Sequence, residues 1–592
     1  MKKIPVIVRF VVQRLRHIPD KNLTLILSFI IGILGGLIAL FLKTSVYYLR
    51  KLLLSENQFD FQNYLLLIYP TIGIVLTVLF AKFVVKDNIP NSITSILYSI
   101  SRKSSILRIH KIFSSIIGGA LTAGFGGSIG LEAPIISSGA ALGSNIGRYL
   151  KLDYKNITLL LACGSAATMS AIFNTPIAAV IFAFEVLLLD LSRFSLIPLL
   201  LASVTGTIIT RLFSNEAILF DFPLSEHFAT GAIPFYIVFA VLTGLVAVYF
   251  NKTFLFIETK FKKIKNQSNK IIFSTIILGL LIFIFPPLFG EGFETIKILF
   301  KGDYSSILNN SIFFYFKDNL IFVLIFFIFL IFIKVVATVT TISAGGTGGI
   351  IAPALFTGAI SGFIFASIAN LLNLGIQLSV SNFILIGMAS VLAGVLHAPL
   401  TGMFLIAEIT GGYYLIVPLM LSVIITYITV KYFHTDSIIT LQLSRKGSLI
   451  THHKDKAVLK LIDLAEIIDI DFNTIDIDAN LGDLVEVIKK AHRNNFPVIN
   501  KQNDLLGVIS LDKIREIMFD KSKYKKVVVR NLMIQLPVVI QMEDTVESVA
   551  EKFIKTGVWN LAVVDNGKYI GFVSKSKLFS VYRKMLVDIS SD

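Results

Sequence analysis

The sequence predicts an all-α membrane domain built from two repeats of short, tilted and broken helices, followed by an α/β tail. Three observations carry this prediction. First, of 592 residues 55% are hydrophobic and only 16% charged, against about 25% charged in a soluble domain, and mean hydropathy is +0.78. That composition excludes an ordinary soluble enzyme and a disordered chain. Second, long uncharged runs dominate up to about residue 445, and charges become frequent afterwards. Third, the apolar part repeats itself.

The N-terminal stretch is basic, but its first apolar run is broken by Arg9 and Arg14, so it does not read as a cleavable signal peptide. Asn22 to Leu42 is the first run long enough to span a bilayer. Six Lys/Arg precede it, which places the N-terminus in the cytoplasm. Further uncharged runs lie at 112–131, 157–184, 194–210, 228–251, 271–290 and 409–430. The run 335–407 holds no Asp, Glu, Lys or Arg, and Gly345, Gly346, Gly348, Gly349 and Pro353 break it. Broken helices are tolerated at membrane depth where they are buried in protein or line a cavity. The lysine-rich stretch 260–270 reads as a cytoplasmic loop, and 214–227 as external. The net charge of +16 fits basic loops beside anionic lipid. No basic cluster with interleaved aromatics suggests nucleic acid as a partner. The single cysteine, Cys163, excludes an internal disulfide and reads as an inert core residue.

Within the membrane part, about 1–445, GGSIGLEAP at 126–134 matches GGTGGIIAP at 345–353. FNTPIAAVIFAFE at 173–185 matches LHAPLTGMFLIAE at 396–408. The order of the two motifs is kept and the spacing between them is nearly the same in both copies. The halves are placed at about 24–213 and 230–432. Duplicated halves with Gly/Pro-interrupted segments point to a transporter with its ion site at the repeat interface. In the tail, 446–592, NNFPVINKQNDLLGVISLDKI (494–514) resembles VWNLAVVDNGKYIGFVSKSKL (558–578). Each reads strand, turn, strand, helix, preceded by an amphipathic helix. The pattern looks like a tandem CBS pair at about 466–520 and 531–590.

These motifs together resemble the CLC family of chloride channels and proton-coupled chloride exchangers. Gly130-Leu131-Glu132-Ala133-Pro134 matches the family's GxExP, and Gly349-Ile350-Ile351-Ala352-Pro353 its GxFxP, with Ile351 in the Phe place. Asn174-Thr175-Pro176 and the CBS pair complete the likeness, which covers essentially the whole chain. It implies an integral, multi-pass protein of the cell or inner membrane with both termini cytoplasmic. It also implies a homodimer with one pore per subunit and two inverted halves, and chloride or a similar anion as the transported partner.

Glu132 is the only ionisable residue between Lys111 and Arg148. A lone intramembrane carboxylate is a functional hypothesis by default. Pro134 suits the first turn of a helix, whose positive end can hold a carboxylate or a free anion. Ionised, Glu132 would fill an anion site; protonated or displaced, it would free it. The structural alternative is a helix-capping acid. The resemblance gives the gating role to Glu132. It gives the anion site to the segments around Gly130 and Leu131 and around Gly349, Ile350 and Ile351, where backbone amides bind and Gly349 allows close approach.

Three departures from the family pattern stand out. The GSGIP motif reads Lys86-Asp87-Asn88-Ile89-Pro90, so Asp87 stands at the serine that contacts the central anion. Asp87 is therefore a cap that points away, a protonated group, or part of an unusual site. The central tyrosine aligns with Ile439, which leaves an anion site made of backbone amides. The exchangers' internal proton glutamate aligns with Val186, next to Glu185, whose repeat mate is Glu408. A hydrocarbon cannot relay a proton, so the sequence leans to passive, voltage- or pH-gated conduction. A chloride/proton antiporter, or a transporter for nitrate or fluoride, is the alternative. The symmetric Glu185 and Glu408 suggest a structural role, with Glu185 as a substitute proton path the lesser reading.

No cofactor is required by this reading. Adenine nucleotide at the CBS pair lacks support, because Lys513 and Lys577 replace the usual ribose-binding aspartates. An intramembrane metalloprotease would need HExxH, and none of the eight histidines begins that motif. A divalent-cation transporter would need several acids in the membrane core. Neither an enzyme nor a cation carrier is therefore expected.

Overall fold

The computed structural model of the chain describes residues 19–53, 62–87, 93–102, 105–187, 193–213, 230–309, 311–373, 375–411, 413–444, 459, 462–536 and 538–590. The basic N-terminal stretch, the end of the GSGIP-like motif at 88–90 and the acidic segment 214–227 lie outside these. The chain divides into two compact units, Met1–Leu449 and Ile450–Asp592.

Lipid offers the peptide group no hydrogen-bond partner, so apolar runs close their bonds internally as helices. The first half holds α1 (Asp20–Leu53), α2 (Gln62–Leu79), α3 (Ile93–Arg102), α4 (Lys111–Gly124), α5 (Glu132–Tyr149), α6 (Tyr154–Phe173), α7 (Pro176–Glu185) and α8 (Arg193–Phe213). The second half holds α9 (Ile233–Lys262), α10 (Gln267–Ile284), α11 (Phe293–Phe300), α12 (Leu320–Ala344), α13 (Ile351–Leu371), α14 (Val380–Leu396), α15 (Pro399–Ile409) and α16 (Ile416–Phe433). A short helix, α17 (Ile438–Ser444), follows. The lysines of 260–270 ride mainly on the ends of α9 and α10, and only 263–266 links the two. The link is short because Asn266 accepts from the Ser268 amide at 3.0 Å and starts α10 at once.

Among the described residues, nine helices are long and apolar enough to cross a bilayer. Their burial separates core from periphery. The most apolar stretch of α6 is 89% buried and that of α13 83%, against 28% for 64–85 and for α10. Helix α7 has 10 residues and α15 has 11. At about 1.5 Å per residue, each crosses only about half of a ~30 Å hydrocarbon core.

Small residues let the buried helices approach in the same way in both halves. A Cβ on Gly139 would lie 2.2 Å from the Gly164 carbonyl, and one on Gly143 1.9 Å from that of Leu160. In α13 and α14 the equivalents are Gly358 at 2.1 Å from the Gly387 carbonyl and Gly362 at 2.0 Å from that of Phe383. The duplication seen in the sequence pairs these same positions: Gly139 with Gly358, Gly143 with Gly362, Leu160 with Phe383 and Gly164 with Gly387. Left-handed Asn174 (φ 59°) and His397 (φ 56°) end α6 and α14 and turn the chain into the proline-started α7 and α15. Glu185 at the end of α7 accepts from the Leu400 and Thr401 amides at the start of α15. Glu408 near the end of α15 accepts from the Ile177 and Ala178 amides at the start of α7. Each helix thus caps the other's N-terminus, so α7 and α15 run antiparallel and the two halves are mutually inverted.

The second unit repeats one pattern twice. Helix α18 (Leu464–Ile467) and β1 (Ile468–Asp469) lead into β2 (Ile475–Asp476), α19 (Leu481–Lys490), β3 (Asn495–Ile499), β4 (Leu505–Ser510) and α20 (Leu511–Ile514). The second copy has β5 (Ile540–Gln541), α21 (Val546–Thr556), β6 (Asn560–Asp565), β7 (Lys568–Ser574) and α22 (Lys575–Ser590). In each copy the first strand pairs parallel with the second and the second antiparallel with the third. Both hairpins carry a register shift, at 498/499 and 563/564. Strand β1 pairs with β7, so the leading segment completes the second copy's sheet. Val508, Ala562, Tyr569 and Phe572 form a small core joining the two copies.

Candidate functional site

The two glycine-rich repeats meet. Gly130 and Gly349 form an antiparallel bridge, with the Gly130 amide 3.1 Å from the Gly349 carbonyl and the Gly349 amide 2.8 Å from that of Gly130. Helices α5 and α13 therefore start side by side, with the positive ends of their dipoles converging. Glu132, only 1% exposed, opens α5 but caps the helix of the other repeat. Its Oε1 accepts from the Ile351 amide at 2.6 Å and from that of Ala352 at 3.3 Å. The carboxylate also faces its own backbone amide. The glycines make room for it: a Cβ on Gly130 would sit 1.9 Å from Glu132 Oε2, and one on Gly349 2.3 Å from Oε1.

Of the residues singled out in the sequence, Gly130, Leu131, Glu132, Gly349, Ile350 and Ile351 come together here. The amides engaged lie one position further along than Ile350 and Ile351. Ile350 is the residue before the helix, and Ile351 and Ala352 supply its first two amides.

Asp87 has other partners. It accepts from the Arg108 guanidinium and pairs with His110 Nε2 at 3.0 Å, with its side chain 26% exposed. Ile439 is buried in the first turn of α17. Ser437 Oγ, just before it, accepts from the Thr440 amide at 3.2 Å. Val186 is buried at the end of α7. Glu185 is fully engaged by the Leu400 amide at 2.9 Å, the Thr401 amide at 2.7 Å and the Thr401 hydroxyl at 2.7 Å. In the tail, Lys513 is exposed, while Lys577 Nζ donates to the Ile468 carbonyl at 3.1 Å.

A charged group that the sequence reading passed over lies beside the helix starts. The Gly290 amide donates to the Gly126 carbonyl at 3.0 Å, which docks the 285–292 turn against the first glycine repeat. Next to it, Glu291 pairs with Arg50 at 3.5 Å and makes a polar contact with the Leu131 amide. Lys334, fully buried, donates to the Gly290 carbonyl at 3.1 Å and lies 4.7 Å from the centre of the Phe356 ring. The available signal was Lys334 itself, the lone charge in α12.

Comparison with known proteins accords with this architecture. The family description "Voltage gated chloride channel" matches residues 73–431, and "CBS domain" matches 464–520 and 529–584. Among solved structures, the chain is similar to a slow cyanobacterial Cl-/H+ antiporter, at 21% identity and TM-score 0.60 over 72% of this chain and 98% of that one. It is similar to a CLC-type fluoride/proton antiporter, at 25% identity and TM-score 0.58 over 71% and 98%. A eukaryotic CLC transporter matches at 17% identity and TM-score 0.59 over 94% and 97%. The protein is thus an integral, multi-pass chain of the CLC fold with a CBS tail, and it belongs to the voltage gated chloride channel family, whose members move anions across membranes.

Proposed function

We propose that the protein conducts chloride or a similar anion through a site made by the N-termini of α5 and α13, and that Glu132 is its gate. The observation that carries this reading is the Glu132 carboxylate on the amides of Ile351 and Ala352. A carboxylate held by helix-start amides occupies the place a free anion would take. Protonation removes its charge and weakens its hold, so a mobile anion can replace it. The residues that would hold the anion are these amides and that of Leu131, with room left by Gly130 and Gly349. The subunit would be one half of a homodimer, with both termini cytoplasmic and the CBS pair as a dimerisation and gating module.

Passive conduction is favoured by Val186, which offers no proton, and by the three hydrogen bonds that tie Glu185 to α15. Coupled exchange is the second reading, favoured by the likeness to a fluoride/proton antiporter at 25% identity. Reversal potentials of the purified protein in planar bilayers decide between them. A channel reverses at the anion's equilibrium potential whatever the pH gradient. A reversal potential that moves with the pH gradient would overturn passive conduction, and no anion current at all would overturn the function itself.

A further inference from the structure

The mouth of the proposed pore has two helix starts, and Glu132, which reaches the first amides of α13 and its own amide, does not fill them alone. Its carboxylate reaches across to α13, whereas the amide of Leu131, the residue before α5, faces the carboxylate of Glu291. Glu291 is 9% exposed and sits between Gly290 and Gly292, both with positive φ (68° and 94°). Those glycines allow a sharp turn that brings the acid down onto α5. Arg50 Nη2 holds it from α1 at 3.5 Å, and the buried Nε of the same guanidinium has no hydrogen-bond partner among the described residues. Lys334 fixes the same turn through the Gly290 carbonyl. The charged groups facing Glu291 are therefore Arg50 and Lys43 from α1, Lys334 from α12 and Glu132 from α5.

We propose that Glu291 is a second gating acid. In the closed state two carboxylates occupy the paired helix starts, Glu132 on the first amides of α13 and on its own amide, and Glu291 on the amide of Leu131. Conduction requires both to leave or to lose their charge. With the N-terminus cytoplasmic, α1 ends on the outer side, so Arg50 and Glu291 lie toward the outer side of the membrane. When Glu291 is protonated or swings away, the Leu131 amide and Arg50 Nη2 are freed for an incoming anion, beside the unpartnered Nε. Arg50 then changes from a clamp on the acid to a docking point for the anion. This inference rests on the reading of Glu132 as a gate.

The test is anion efflux from proteoliposomes as a function of external pH, in four proteins. Glu132→Gln should raise flux yet keep a reduced dependence on external pH. The double variant Glu132→Gln/Glu291→Gln should lose that remainder. Arg50→Gln in the Glu132→Gln background should move the remaining step to higher pH, because losing the cation favours protonated Glu291. This third protein keeps the test open if Glu291→Gln fails to fold. A flat pH profile in Glu132→Gln alone, or a remaining step unmoved by Arg50→Gln, overturns the role of Glu291 and leaves that of Glu132 standing. Wild-type pH dependence in Glu132→Gln overturns the gate reading itself.

Discussion

At the scale of single residues, Glu132 and Asp87 contrast. Both are acids at positions tied to the anion path by the sequence pattern, and their partners separate them. Glu132 is satisfied by helix-start amides, a site that a halide can share. Asp87 is held by the Arg108 guanidinium and by His110 Nε2, side chains and not helix-start amides. Glu132→Gln should therefore raise anion efflux and strip most of its pH dependence, with wild-type flux rising as external pH falls. Stopped-flow halide efflux across external pH checks this, and a variant with unchanged flux would refute it. Asp87→Ser, by contrast, should leave chloride affinity in calorimetric titration unchanged. It should also lower stability by less than about 1 kcal/mol, since the Arg108 side chain is mostly exposed. Tighter chloride binding in Asp87→Ser would place Asp87 in the pore. The sequence offered a pore-facing Asp87, a protonated one and a helix cap, and none of these names Arg108 or His110. Those partners lie beyond the next helix, in a different turn, and no local pattern links them to Asp87.

Among the helices, the duplication legible in the sequence reappears as duplicated contact. Gly139 sets α5 against α6, and its counterpart Gly358 sets α13 against α14. Gly139→Ala and Gly358→Ala should each destabilise the detergent-solubilised protein, by about 1–3 kcal/mol for overpacking against backbone. Similar losses in thermal melts are expected, and a stable Gly358→Ala would mean that the helices have room to part. A repeated sequence carries no sign of its orientation, and the reciprocal caps of Glu185 and Glu408 supply it. Glutamine keeps one acceptor oxygen and sets an NH2 group against the other helix-start amide, so Glu185→Gln and Glu408→Gln should cost similar stability, about 1–3 kcal/mol each. A large loss in only one of them would make the capping asymmetric. The group of Arg50, Glu291 and Lys334 escaped sequence reading because it is assembled from three regions far apart along the chain: the end of α1, the turn before α11 and the middle of α12. Each member alone resembles an ordinary loop or helix-end charge, apart from Lys334 inside an apolar span.

For the whole molecule, the question is whether anion movement is tied to protons. Coupling needs a proton to travel from the cytoplasm to Glu132 by a path separate from the anion's. At the position that the family resemblance gives to the exchangers' internal proton acid stands Val186, buried and apolar. The neighbouring Glu185 is held by two amides and a hydroxyl, and accepting a proton would disrupt that cap. A water chain would need two to four polar partners for each water, and the stretch 176–184 of α7 is apolar throughout. Proton uptake into vesicles driven only by an outward chloride gradient, with the potential clamped, should therefore be absent while chloride leaves freely. Sustained uphill proton movement in a fixed ratio to chloride would refute passive conduction. Glu185→Gln then separates two explanations. If it abolishes the movement, the cap is also the relay; if the movement persists, the proton enters along a wetted route on another face of the repeat interface.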